Sequence, residues 1–200
     1  MIMTETIDFY WDIGSTNTYF ALKLIRPIAA RHGAKLVLHP FNLGYVFRYH
    51  KYVLAEEPPA KHANRRRDLE RWAEKYGLDF RLPDVFPIKT SRALRAAIAI
   101  REWGKEQEFV DEIFCRYWEN NDASIADYSG LRAVATALGI DAATFEAACE
   151  SEPVRQALID ATNAGLQRGV FGAPSFIIKG ELFWGKDRMD FIEDELRRAR

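Results

Sequence analysis

Residues 12–21 read DIGSTNTYFA. The segment before them, TIDFYW (6–11), is a short apolar-rich run that reads as a buried strand. The segment after the turn, YFALKLIRPIAA (19–30), places Tyr19, Leu22, Ile25 and Ile28 or Ala29 on one helical face. A strand therefore ends and a helix begins across Gly14, Ser15, Thr16, Asn17 and Thr18. Three hydroxyls and an amide stand at the positive end of that helix. Such side chains cap it, accepting hydrogen bonds from its unpaired first N–H groups. The same N–H groups and the helix dipole can hold an anion. These residues alone leave both readings open.

Working outward, Pro27 predicts a kink or break in the helix, and Gly33 a stop. AKLVLHPFNL (34–43) reads as a second strand ended by Pro40. Strand, helix and strand within about 35 residues suggest a βαβ unit with parallel strands. From Pro58 to Arg168 the pattern turns helical, with helices predicted over 60–76, 90–104, 106–120, 127–138, 141–149 and 151–168. Asp141 and Ser151 read as N-caps. Beyond them, SFII and ELFW flank KG, a hairpin signal with Gly180 in its turn. KDRMDFIEDELRRAR (186–200) closes as an amphipathic helix with Met189, Ile192 and Leu196 inward. Its acids come early and its arginines late, which suits the dipole. The order is βαβ, a helical block, then ββα. That is the thioredoxin plan with a large all-helical insertion, an α/β fold. The expected division is 1–57 with 166–200 for the thioredoxin-like part and 58–165 for the insertion.

The chain has 200 residues, 48% of them apolar, enough for a large core without metal or disulfide staples. A net charge of −1 argues against a nucleic-acid binder that relies on a basic face. The one dense basic run, Arg65–Arg67, alternates with Asp68, Glu70 and Glu74, as a solvated helix face does. Cys115 and Cys149 form no C-x-x-C motif and read as small core residues. His39, His50 and His62 lack metal-ligand spacing. Trp72, Trp103, Trp118 and Trp184 read as core or cleft lining. The N-terminal segment lacks a basic run followed by an apolar one, and no apolar run is long enough to span a membrane. The expectation is a soluble cytoplasmic protein.

Three stretches together resemble one family. FYWDIGSTNTYFA (9–21) is similar to the D-F-x-S-P-Y-S-Y-L-A segment of kappa-class glutathione transferases and 2-hydroxychromene-2-carboxylate isomerases. PPAKHANRRRDLERWAEKYGLDFRLPDVFPIKTSRALRAAIA (58–99) resembles their central segment, where a lysine precedes a basic helix and an F-P turn leads to A-L-R-A-A. RGVFGAPSFIIKGELFWGKDRMDFIEDEL (168–196) resembles their G-V-F-G-V-P-T-F strand start and F-W-G-x-D-R ending. The resemblance covers nearly the whole chain and implies a DsbA-like thioredoxin fold.

It also implies the chemistry. Ser15 stands where a redox relative carries the first cysteine of C-x-x-C, and Thr18 where it carries the second, so dithiol–disulfide exchange through this loop is impossible. A hydroxyl at a helix N-terminus can instead donate to a bound thiolate. The resemblance makes that thiolate glutathione's and Ser15 the catalytic residue. Pro174 would be cis and face the helix start, with the Ala173 N–H and C=O pairing the cysteinyl backbone as an added strand would. Asp187 and Arg188, opening the last helix, would hold the γ-glutamyl end, and Lys61 the glycine carboxylate. The implied activity is a glutathione-dependent isomerisation of an aromatic-degradation intermediate, in a homodimer, with the second substrate in an apolar cleft between the two parts. Kappa-class transfer or peroxide reduction is the neighbouring enzyme reading. A thioredoxin-like binding module that lacks the cysteines is the non-catalytic one. Thr16, Asn17 and Tyr52 depart from the family's usual Pro, aromatic and Asn.

Overall fold

The computed structural model describes residues 4–53 and 57–198. Four strands form one sheet in the order β2-β1-β3-β4: β1 Thr6–Trp11, β2 Lys35–Pro40, β3 Ser175–Ile178 and β4 Glu181–Trp184. β1 runs parallel to β2 and antiparallel to β3, and β3 and β4 form the hairpin. The expected thioredoxin-like sheet is therefore present. β2 ends at Pro40, as its sequence suggested. Because β2 is an edge strand, the proline's missing N–H breaks no inner ladder.

The alternation along β1 sorts the core. Ile7, Phe9 and Trp11 enter the larger apolar cluster with α1 (Thr16–Arg31) and the last helix, α9 (Met189–Arg197). Tyr10 enters a smaller cluster on the other face with Phe41, Val46, Val170 and Ile177. Between β2 and β3 come α2 (Leu43–Tyr49), α3 (Pro59–Tyr76), α4 (Ser91–Ala99), α5 (Glu106–Trp118), α6 (Tyr128–Ala137), α7 (Ala142–Glu150) and α8 (Glu152–Gln167). The Asp141 and Ser151 side chains cap α7 and α8, accepting from the Thr144 and Val154 N–H groups, as their residue types require.

Four expectations need correction. Of the kink or break expected at Pro27, the break is absent: α1 runs through Pro27 to Arg31, and Pro27 lies on its exposed side, where water can meet the carbonyl one turn back. The helix expected over 90–104 stops at Ala99 and tightens into a 3-10 turn to Trp103, closed by Gly104 at φ +67°. α2 was not expected; seven residues of an aromatic loop form it, capped by Asn42, whose side chain accepts from the Tyr45 N–H. The rest of that loop, 54–56, lies outside the described residues, as do 199–200 of the last helix. Cys149 is a core residue with its thiol pushed up to about 12 by burial, but Cys115 is only half-buried, its thiol 3.3 Å from a Glu119 carboxylate oxygen. Among the described residues no helix is long and apolar enough to cross a membrane.

Candidate active site

The loop between β1 and α1 is built by tight turns around one serine. The Ser15 N–H returns to the Asp12 carbonyl at 3.1 Å, which bends the chain out of the strand. Ser15 then takes extended backbone angles and caps α1, its hydroxyl accepting from the Thr18 N–H at 3.3 Å. The same hydroxyl donates to the Ala173 carbonyl at 3.1 Å, across 158 residues of sequence. Ala173–Pro174 is cis, as the resemblance implied, so the cis proline faces the start of α1. Capping and a position opposite the cis proline are thus properties of one half-exposed side chain.

Beneath the loop lies a residue that sequence reading did not single out. Asp12 is 1% exposed. Its Oδ1 accepts the Gly14 N–H at 2.9 Å, and its Oδ2 accepts the Leu43 N–H at 2.9 Å and the Thr90 hydroxyl at 3.1 Å. Burial raises its carboxyl to about 6 against these stabilising bonds. Gly14 is required by space: a β-carbon there would meet the Thr90 methyl at 2.9 Å. The buried Trp118 indole on α5 donates to the Ile13 carbonyl at 3.0 Å. The Thr18 hydroxyl is buried with no partner among the described residues. The one available sequence signal for Asp12 was an acid at the end of an apolar strand, directly before a Gly-Ser turn.

The other predicted residues fall around this centre. Lys61, in the first turn of α3, has its ammonium 2.8 Å from Glu57. The Tyr52 hydroxyl donates to the same Glu57 oxygen at 2.7 Å, and Arg65 binds the other. Bonds from Lys61, Tyr52 and Arg65 hold the Glu57 carboxyl down to about 2. The cationic seat expected for a ligand carboxylate thus already holds one from the chain itself. Asp187 and Arg188 pair with each other at 2.7 Å in the turn before α9, which begins at Met189, and neither side chain caps that helix. Lys186 beside them reaches α3, 3.6 Å from Asp68 and 4.4 Å above the Trp72 ring. Asp68 is two turns along α3 from Lys61, about 10 Å by helical rise. α3 therefore spans from the Lys61 seat to the Asp187 turn. Arg188 also lines a cavity of about 340 Å³ between β4 and α9 with Trp184 and Phe191, which does not include Ser15, Lys61 or Ala173.

With this arrangement in view, the chain can be set beside known proteins. The DSBA-like thioredoxin domain family matches residues 6–197. A 2-hydroxychromene-2-carboxylate isomerase from Sphingobium xenophagum is 32% identical over 203 residues, covering 97% of this chain and 99% of that protein. One from Pseudomonas putida is 28% identical, covering 96% and 94%. A solved 2-hydroxychromene-2-carboxylate isomerase superposes with a TM-score of 0.83 at 26% identity, covering 94% of this chain and 93% of that one. A cis proline facing a helix start, a C-x-x-C loop without cysteines and these near full-length matches agree: the chain belongs to the DsbA-like thioredoxin family, among relatives named 2-hydroxychromene-2-carboxylate isomerase.

Proposed function

We propose that the chain is a glutathione-dependent isomerase of the 2-hydroxychromene-2-carboxylate type, with Ser15 stabilising the glutathione thiolate. The observation that carries this reading is the Ser15 hydroxyl, held at the N-terminus of a 16-residue helix and 3.1 Å from the Ala173 carbonyl beside a cis proline. The relatives' names support the isomerase class.

The residues fit the tripeptide. Ser15 offers an O–H where the α1 dipole favours an anion. Ala173 offers an edge carbonyl, Lys61 and Arg65 a carboxylate seat, and Asp187 a carboxylate for an ammonium. Glutathione supplies, when bound, a sulfur nucleophile that can add to an unsaturated bond and leave again. The chain's part is positioning and charge stabilisation. The Ser15 hydroxyl turns from the Ala173 carbonyl toward the sulfur, which frees that carbonyl to accept the cysteinyl N–H. Lys61 exchanges the Glu57 carboxylate for the ligand's. No side chain of this loop is a thiol, so the protein forms no mixed disulfide there. Net transfer or peroxide reduction is distinguished by whether the thiol is consumed.

The test is a titration of thiolate absorbance on adding glutathione, with thermal unfolding alongside. Ser15→Ala is expected to raise the bound thiol's pKa and slow turnover on 2-hydroxychromene-2-carboxylate by a hundredfold or more, about 2.7–4 kcal/mol in the transition state. A lowered melting point with an unmoved thiol pKa would leave Ser15 as a cap only.

A further inference from the structure

A carboxylate as buried as Asp12 ordinarily has a cation beside it. Here its bonded partners are two backbone N–H groups and a hydroxyl, none of them charged. They come from three separate segments: Gly14 in the Ser15 loop, Leu43 at the start of α2, and Thr90 before α4. Thr90 occupies the N-cap position of α4, yet its hydroxyl makes no cap bond and goes to Asp12 instead. A residue type suited to capping its own helix is thus diverted to the loop, a local rule broken as functional sites break them.

We propose that Asp12 is a positioning residue: its carboxylate ties the Gly14 N–H to α2 and to Thr90, and so sets the Ser15 hydroxyl against the Ala173 carbonyl. The inference rests on Ser15 serving a thiolate. Asp12 acts through the loop and touches no ligand. The two backbone N–H groups approach different oxygens of the carboxylate. An amide of the same shape has one acceptor oxygen and turns its own N–H groups on one of them. Only the carboxylate satisfies both.

The experiment compares wild type with Asp12→Asn, Thr90→Val and Thr90→Ser in the full chain. Thiolate absorbance of bound glutathione, turnover and thermal unfolding are measured on each. Asp12→Asn and Thr90→Val are expected to raise the bound thiol's pKa and to lower kcat about tenfold, with KM for glutathione little changed, because a charge-assisted bond that orients the loop is lost. Thr90→Ser, which keeps the hydroxyl, is expected to restore both. Thr90→Val leaves the Asp12 charge in place, so it decides the matter if Asp12→Asn does not fold. A thiol pKa that stays put in folded Thr90→Val overturns the proposal, as does one that falls in Asp12→Asn, which would mean that the charge acts directly on the sulfur. If Ser15→Ala moves the thiol pKa and Thr90→Val does not, the proposal fails alone. If wild type binds no glutathione, it fails together with the reading of Ser15.

Discussion

Asp12 gives folding stability a pH dependence opposite to that of a salt-bridged acid. Burial lifts its carboxyl from 3.8 to about 6, so between those values the folded chain holds a proton that the unfolded chain has released. This group's contribution is full below the unfolded value and is lost as pH rises through about 6. A shift of that size corresponds to about 3 kcal/mol. Asp12→Asn removes the titration, whatever fixed offset its lost acceptor adds. Its stability relative to wild type should therefore rise by about 2 kcal/mol from about pH 4 to about pH 7, measured by urea unfolding at both. A relative stability that stays flat would mean that Asp12 titrates alike in both states. Single residues were unequally legible for a related reason. Ser15 announced itself because its role begins locally, as a short polar side chain where a strand turns into a helix. Asp12 did not, because two of its partners lie 31 and 78 residues away. Lys61 could be placed by resemblance, whereas its partner Glu57, four residues earlier and just before α3, is a local i,i+4 contact that the reading of the sequence passed over.

Helix α8 shows what packing adds to propensity. Gly165 sits inside it, where alanine would ordinarily favour a helix by about 1 kcal/mol. A β-carbon at Gly165 would lie 2.8 Å from the Phe41 ring and 3.1 Å from the Tyr10 ring, both buried against the sheet. Gly165→Ala should therefore destabilise the protein by about 1–3 kcal/mol by overpacking, despite the better propensity. Denaturant unfolding checks this, and a neutral or stabilised variant would show that α8 can lift from the sheet without loss. The longer helices were legible because their apolar spacing persists over several turns and their caps are ordinary: Asp141 and Ser151 cap where they were expected to. α2 escaped because seven residues carry too little periodicity, although Asn42 was a usable start signal. The early end of α4 was hidden for another reason. Its apolar run continues into the 3-10 turn, so the hydrophobic pattern does not register the change of winding.

Over the whole molecule, the larger apolar cluster joins β1, α1 and α9 to helices α4 through α8 without a gap. Unfolding should accordingly be a single transition, with far-ultraviolet circular dichroism and tryptophan fluorescence giving coincident curves. Two separated transitions would mean that the helical block and the sheet are independent units. The element order reveals the thioredoxin plan and where the helices are inserted, because hydrophobic periodicity and turn residues act over short distances. It does not reveal how far the inserted helices reach into the loop that carries Ser15. Trp118 on α5 supplies the donor for the Ile13 carbonyl, and Thr90 supplies one for Asp12. A minimal thioredoxin made by excising the helices would leave that carbonyl and that carboxylate without these donors. The loop is therefore not a transplantable module. Grafted alone onto a smaller scaffold, DIGSTNTYFA would keep its sequence but lose the groups that hold it in shape.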